Sequence, residues 1–361
     1  MGMSVNVVNT AMGKGKQRKD LLQRLADGPV ICAEGYLFEL ERRGYVQAGA
    51  FVPEAVLDHP EVVAQVHRDF VHAGSDVVEA FTYYAHREKL RLIGREHQLE
   101  AMNREALKIA KGVATETGAL FAGNICNTNV YEPGDAKSIK ACRAMFEEQV
   151  AWAAEAGVDY VIAETFSYGA EARLALSIIK SAGMVAVMTM AIHREPLTRD
   201  GLTPEACCQM LADAGADVVG LNCIRGPRTM LPLIARIVRA VQVPVAALPV
   251  PYRTHSRQPT FQSLRDRHCD CIPGDLPFPV ALDPFTCNRF EIANFAKEAC
   301  ALGVRYIGLC CGTMPHHIRS IAEALGRQPA ASRYSADMSK HAFFGSDSRL
   351  KKSNREFARK L

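Results

Sequence analysis

Three cysteines stand at the ends of two apolar runs: Cys223 closes "VVGLNC", and Cys310 and Cys311 close "RYIGLCC" far downstream. Zinc takes thiolates in a tetrahedral set, and a site with three protein ligands keeps a fourth position open for chemistry. The trio therefore points to catalysis more than to scaffolding. A lone cysteine is usually a small buried hydrophobe, but adjacent thiols at a strand terminus gain little as packing. The chain has 12 cysteines in all. Cys207 and Cys208, adjacent inside a helical pattern, read as packing residues, and the Cys269-x-Cys271 pair is too weak a signal to be assigned a metal.

The elements that must position the thiols follow from a repeat. Four segments share a helix end, a glycine, a short turn and an apolar strand: "HAGSDVVEAF", "EAGVDYVIAETF", "DAGADVVGLNC" and "ALGVRYIGLCC". Glycine suits the left-handed cap that ends a helix, and the β-branched run after it suits a strand buried on both faces. Extending the pattern predicts eight strands, near 29–33, 77–81, 119–123, 159–163, 185–190, 217–222, 244–249 and 304–309. Helical patterns lie at 60–74, 97–117, 138–157, 169–183, 203–215, 228–241, 288–302 and 315–326. Eight such units predict an α/β fold of the (β/α)8 TIM-barrel type, whose active site forms at the carboxyl ends of the strands. All three thiols fall on that face. An open doubly wound sheet shows similar alternation, but no Gly-x-Gly-x-x-Gly follows the first strand to mark a dinucleotide site.

The expected organisation is a disordered basic N-terminal tail over 1–19, the barrel over 20–327 and a C-terminal extension over 328–361. A proline-rich, aperiodic stretch from Pro251 to Thr286 forms a long loop after the seventh strand, and loops of that length in compact barrels are often functional lids. The last thirteen residues carry six basic side chains and Phe357; they read as solvated charge or as a helical arm that packs on another subunit.

Bulk properties exclude several classes. The 43 basic and 39 acidic residues are interspersed and leave a net charge of +4, so nothing argues for a nucleic-acid surface. No run reaches the 18 or more apolar residues of a membrane span, and the N-terminal stretch lacks the apolar core of a signal peptide. A cytoplasmic protein is expected, with its cysteines as thiols or metal ligands.

On these strand ends the chain resembles the homocysteine S-methyltransferase family, and within it the betaine-using branch. The likeness runs from "LLQRLADG" through "ELERRGYVQAGAFVPEAVLDHPE", "AFTYYAHREKL" and "DYVIAETF" to "VRYIGLCCGTMPHHIRSIAEAL". The paired Asn-Cys and Cys-Cys-Gly motifs on barrel strands are specific to that family. The resemblance implies Zn2+ held by Cys223, Cys310 and Cys311, with the homocysteine sulfur in the open position. Zinc lowers the thiol pKa so that a nucleophilic thiolate exists at neutral pH, and an anionic thiolate centre favours a cationic methyl donor.

Glu164, in "VIAETF", matches the family glutamate that binds the homocysteine amino group. Where the family has an aspartate at the end of the first strand, this chain has Ala33, so either Glu34, beside Gly35, takes over or the amino-acid contact is remodelled. Leu309, before the paired cysteines, stands where the family often has glycine and is expected to crowd the site. Thr165 replaces a branch tyrosine. For the donor, the resemblance assigns Phe51, Tyr83 and Tyr84 to the pocket, with Phe51 where the betaine branch has tryptophan; aromatic faces hold quaternary ammonium by cation–π attraction. His316 and His317, after Pro315, should open the last helix in ordinary hydrogen bonds or orient a ligand, and Arg225 and Arg228 are candidates to neutralise a substrate carboxylate.

The reaction expected is methyl transfer from glycine betaine to homocysteine, giving methionine and dimethylglycine, in a homo-oligomer. Alternatives are another onium donor (dimethylsulfoniopropionate, S-methylmethionine, proline betaine), a non-catalytic zinc and homocysteine binder, or the thiol-activating partner of a separate methyl carrier.

Overall fold

The computed structural model describes residues 18–266 and 273–361. The expected tail over 1–19, apart from its last two residues, and the Cys269/Cys271 pair lie outside the described residues.

The glycine turns of the repeat do what their position requires. Gly74, Gly157 and Gly303 each cap a helix in the left-handed conformation, as Gly118 does outside the repeat, and a strand begins within three residues; the fourth repeat glycine, Gly215, takes its positive φ one residue past the Ala214 cap. The strands are β1 (Val30–Ala33), β2 (Val77–Glu79), β3 (Leu120–Cys126), β4 (Tyr160–Phe166), β5 (Ala186–Met190), β6 (Val218–Asn222), β7 (Val245–Leu248) and β8 (Tyr306–Leu309). All pair in parallel, in the order β1-β8-β7-β6-β5-β4-β3-β2. Between β1 and β2 the ring is joined by Asp76, whose N–H donates to Ile31 O at 2.8 Å and whose Oδ2 accepts from Ile31 N at 2.8 Å. Arg327 pairs with that same carboxylate at 2.6 Å, tying the turn after the helix Pro315–Ala324 to the seam.

Each predicted helix is present with ends within two residues of expectation, from Pro60–Ala73 to Pro315–Ala324. Short helices at Leu21–Asp27, Tyr36–Arg42 and Arg87–Leu92 escaped the pattern, because one or two turns give too little periodicity to register. The first of them plugs the barrel. Asp20 caps it by accepting from Gln23 N, and its Leu21 and Leu25 join the inner core of Val30, Val77, Leu120, Tyr160, Ile162, Val187, Val218, Ala246, Leu248 and Tyr306. A second, larger core fills the space between strands and helices.

Strands β3 and β4 each run three residues beyond prediction. In β4 the register with β5 shifts between Ala163 and Phe166, and Thr165 sits at φ 63°. Such a bulge adds a residue and re-aims side chains, here at the barrel mouth.

Candidate active site

Side chains alternate across a strand, and the inward series here changes character toward the carboxyl ends. Val77 is followed by Glu79, Ala122 by Asn124, Ile162 by Glu164 and Gly220 by Asn222, all buried. Above an apolar barrel core lies a polar layer.

Asn222 is its hub. Its Oδ1 accepts from Thr165 N at 2.9 Å, and its Nδ2 donates to Glu164 Oε2 at 2.7 Å and Thr165 Oγ1 at 2.8 Å, with Glu34 Oε2 at 3.5 Å and Cys310 Sγ at 3.7 Å. Asn124 Nδ2 donates to both Glu79 Oε1 at 2.5 Å and Glu164 Oε1 at 2.7 Å. Thr165 Oγ1 also donates to Glu164 Oε2 at 3.0 Å, so the residue in place of the branch tyrosine locks the carboxylate. Burial holds the Glu164 carboxyl up at about 7. Burial first, and then the Glu164 charge, raises Glu34 and Glu79 well above the ordinary carboxylate range.

Next to this layer the three thiols converge: the Sγ atoms of Cys223, Cys310 and Cys311 lie within 4.8 Å of one another, with Cys310 and Cys311 at 3.9 Å. Cys223 is driven toward the thiolate by hydrogen bonds from the other two. Burial and then that bond raise Cys310, and the bond to Cys223 chiefly raises Cys311. Protons alone thus leave one thiolate; a bound cation is what lets all three ionise together. The turn carrying the pair is braced from below: Arg42 donates to Gly312 O at 3.1 Å and Tyr252 Oη at 3.0 Å, and Thr313 Oγ1 donates to Cys310 O at 2.6 Å.

Two cavities flank the thiols. The smaller, about 20 Å³, is lined by Glu34, Glu79, Asn124, Glu164, Cys310 and Cys311. The larger, about 840 Å³, meets Phe38, Phe51, Tyr83, Tyr84, Phe261 and Phe278, together with His193, Arg194, Arg199, Cys223 and Cys311. Leu37, Tyr83 and Cys311 line both. The Tyr83 and Tyr84 rings are 4.3 Å apart, Phe51 stacks on Phe38 at 5.7 Å, and Lys89 Nζ lies 4.1 Å over the Tyr84 ring. Among the described residues, seven non-glycine residues have positive φ, and six line this cavity: Phe51, Tyr84, Asn129, Thr165, Cys223 and Ile224. Left-handed backbone at such residues is costly and clusters at functional sites.

The structure brings Glu34, Glu164 and the three cysteines together, and puts Phe51, Tyr83 and Tyr84 on one cavity. Ala33 belongs to the outer core, whereas Glu34 lines the small cavity, so of the two it is Glu34 whose carboxylate reaches that wall. Gly35 is not on either wall; a Cβ there would lie 2.7 Å from Thr313 Cβ, so it lets the β8 loop approach. Leu309 does not crowd the site. It points outward into the helix layer, and the inward neighbour is Gly308, where a Cβ would lie 1.7 Å from Cys32 O.

Arg225 is spent on the carbonyls of Ile192, His193 and Arg194, and Arg228 lines a separate cavity, so neither meets the site as a free cation. His317 bonds Cys287 O through Nε2 at 3.1 Å and accepts from Met314 N at Nδ1, the ordinary role at a helix start. The described part of the 251–286 loop is a packed wall, pinned by a Tyr252–Thr286 bridge, that supplies Phe261 and Phe278. Sequence reasoning missed Glu79, Asn124, Phe38, Phe261 and Phe278; a charged residue closing a β-branched run, as in "DVVEAF", was the signal for the first.

Fold and site together define a class: a (β/α)8 barrel with a cluster of three thiols, spaced as metal ligands are, between an acidic and an aromatic pocket. The homocysteine S-methyltransferase family model matches residues 30–325, and the chain belongs to that family. It is 37% identical over 337 residues to betaine-homocysteine S-methyltransferase 1 of Danio rerio, covering 91% of this chain and 80% of the relative. It is equally, 37%, identical over 345 residues to an S-methylmethionine-homocysteine S-methyltransferase of Mus musculus, covering 92% of this chain and 88% of the relative. In fold it resembles the metallated homocysteine methyltransferase MmuM of Escherichia coli, with a TM-score of 0.64 at 20% identity over 83% of this chain and 98% of that one. No helix is long and apolar enough to cross a membrane among the described residues.

Proposed function

We propose that this protein transfers a methyl group from glycine betaine to homocysteine, releasing methionine and dimethylglycine, with Zn2+ on Cys223, Cys310 and Cys311. The observation that carries this reading is the placement of the thiol trio between a small acidic cavity and a large aromatic one. A tetrahedral site with Zn–S of about 2.3 Å spaces its sulfurs by about 3.8 Å, which suits the 3.9 Å between Cys310 and Cys311. Bound there, zinc supplies acidity to the substrate thiol, so that its sulfur is a thiolate at neutral pH.

The chain's own residues do the rest. The acidic cavity, with Glu164 and Glu34, takes the ammonium end of homocysteine and aims its sulfur at the mouth. Phe51, Tyr83 and Tyr84 offer π faces to the onium methyls, and His193, Arg194 and Arg199 on the same cavity suit a donor carboxylate. The sulfur attacks a methyl carbon in line; the S–C bond forms as the C–N bond breaks, and the electron pair leaves on nitrogen as a neutral tertiary amine. No general acid is needed. Alignment and removal of water from the cation are what the walls contribute.

S-methylmethionine is the second donor to consider, because a cavity of about 840 Å³ far exceeds what one trimethylammonium group fills and a relative of equal identity carries that donor in its name. The three-thiol site and cysteines that are all free among the described residues suit a reducing compartment, and we assign the protein to the cytosol.

The test is metal analysis of the purified protein followed by methionine formation from homocysteine with a donor panel. Zinc near one equivalent and turnover with glycine betaine are expected, and Cys310→Ala should lose most of the metal. Zinc-loaded protein that makes no methionine with any onium donor would sink the enzyme reading.

A further inference from the structure

We infer that Glu79, acting with Glu34 and Asn124, is a further receiver of the α-ammonium of the amino-acid thiol beside Glu164, whose own hydrogen bonds also orient the set. The inference rests on the homocysteine reading above and deepens it. A hydrogen-bond accounting carries it. An alkylammonium offers three donors and no acceptor. Glu34 Oε1, Glu79 Oε2 and Asn124 Oδ1 are buried with no hydrogen-bond partner, and all three residues line the same small cavity. Buried polar atoms are nearly always paired, so three acceptors left over around one cavity mark the place of a donor group.

Glu164, the residue singled out by sequence, is by contrast already engaged: Oε2 accepts from Asn222 and Thr165, and Oε1 accepts from Asn124. Asn124 spends its two amide hydrogens on Glu79 Oε1 and Glu164 Oε1, which leaves its Oδ1 as the free atom. The cavity, about 20 Å³, is large enough for one small polar group. Its wall includes Cys310 and Cys311, and carboxylate oxygens of Glu34 and Glu164 lie within 4.8 Å of Cys310 Sγ. An ammonium there would sit beside the metal ligands, separated from the reacting sulfur by no more than the α-carbon and two methylenes of homocysteine. A water donates two hydrogens and carries no charge; two buried carboxyls beside a thiolate centre call for a cation.

The experiment is calorimetric titration of the zinc-loaded, full-length protein with L-homocysteine and with 4-mercaptobutyrate, the same thiol acid without its amino group. Wild type should prefer homocysteine by roughly tenfold to a hundredfold, the range for a charge-assisted contact. Glu79→Gln should erase about a factor of ten of that preference while 4-mercaptobutyrate binding stays within about twofold. Glu79→Asp, which keeps the charge but withdraws it by one methylene, should do the same and guards against a misfolded Gln variant; zinc content and melting temperature are read on each sample. Equal weakening of both thiols by Glu79→Gln would make Glu79 a structural residue and overturn the inference. So would a wild type without preference, or a second bound metal equivalent that Glu79→Gln removes. If neither thiol binds wild type, the homocysteine reading itself fails, and the inference with it.

Discussion

His67, on the helix Pro60–Ala73, is fully buried with neither ring nitrogen paired, its ring edge-on to Tyr36 at 4.6 Å. Burial lowers its pKa to about 3. The neutral form is thus favoured in the fold, while the unfolded chain binds a proton at about 6.5. Stability from this residue is complete above that value and is lost as pH falls toward 3, by about 1.4 kcal/mol per pH unit. His67→Leu removes the slope, so its stability relative to wild type should rise by about that amount per unit below pH 6 in denaturant titrations; parallel pH curves would show that His67 gains a proton without unfolding. At this scale sequence was an uneven guide. Cys223, Cys310, Cys311 and Glu164 were legible because each closes an apolar run in a specific motif. Glu79 also closes one, but its meaning depends on Asn124 and Glu34, which are brought to it only by the barrel.

The elements were more legible than the contacts between them. Glycine caps and β-branched runs act locally, so strands and helices could be placed from sequence; the β4 bulge and the β1–β8 approach depend on neighbours. Gly308 shows the cost of missing a neighbour. Sequence drew attention to Leu309, yet the side chain that strand alternation turns inward is that of residue 308, against the Cys32 carbonyl. Gly308→Ala must push β1 and β8 apart, and overpacking of this kind costs about 1–3 kcal/mol. Because Glu34 and Cys310 each lie two residues beyond the pinch, the same change should weaken metal retention as well as stability. A variant equal to wild type in both denaturation midpoint and metal content would mean that the strands are not held so close. Arg225 plays the matching part on the opposite side, holding three carbonyls of the loop after β5 so that His193 and Arg194 keep their places on the aromatic cavity.

At the scale of the molecule, the barrel from Val30 to Ala324 accounts for the chemistry, and the segment after it asks for another explanation. Five of the twelve exposed large hydrophobic side chains among the described residues, Tyr334, Met338, Phe344, Phe357 and Leu361, lie within 328–361, where a helix forms at Lys352–Ala358. That density of bare apolar surface suits contact with a second copy. Truncation from Gly345 should lower the mass seen by light scattering while leaving the melting temperature of the barrel within a few degrees; an unchanged mass would dispose of the arm. The net charge of +4 and the interspersed basic and acidic residues argue against a nucleic-acid surface, but subunit contacts leave no comparable mark in composition. The strained ring around the aromatic cavity has a consequence of its own for how this sequence can change over time. Thr165 and Ile224 are β-branched residues held at φ 63° and 59°, where such side chains are rare outliers, and each left-handed position costs of order 1 kcal/mol or more. Glycine at Ile224 would relieve that cost, because without a Cβ it enters the left-handed region freely. A lineage released from catalysis is expected to drift toward such relief, so loss of the left-handed positions at this one mouth would be an early mark of lost activity in a descendant chain.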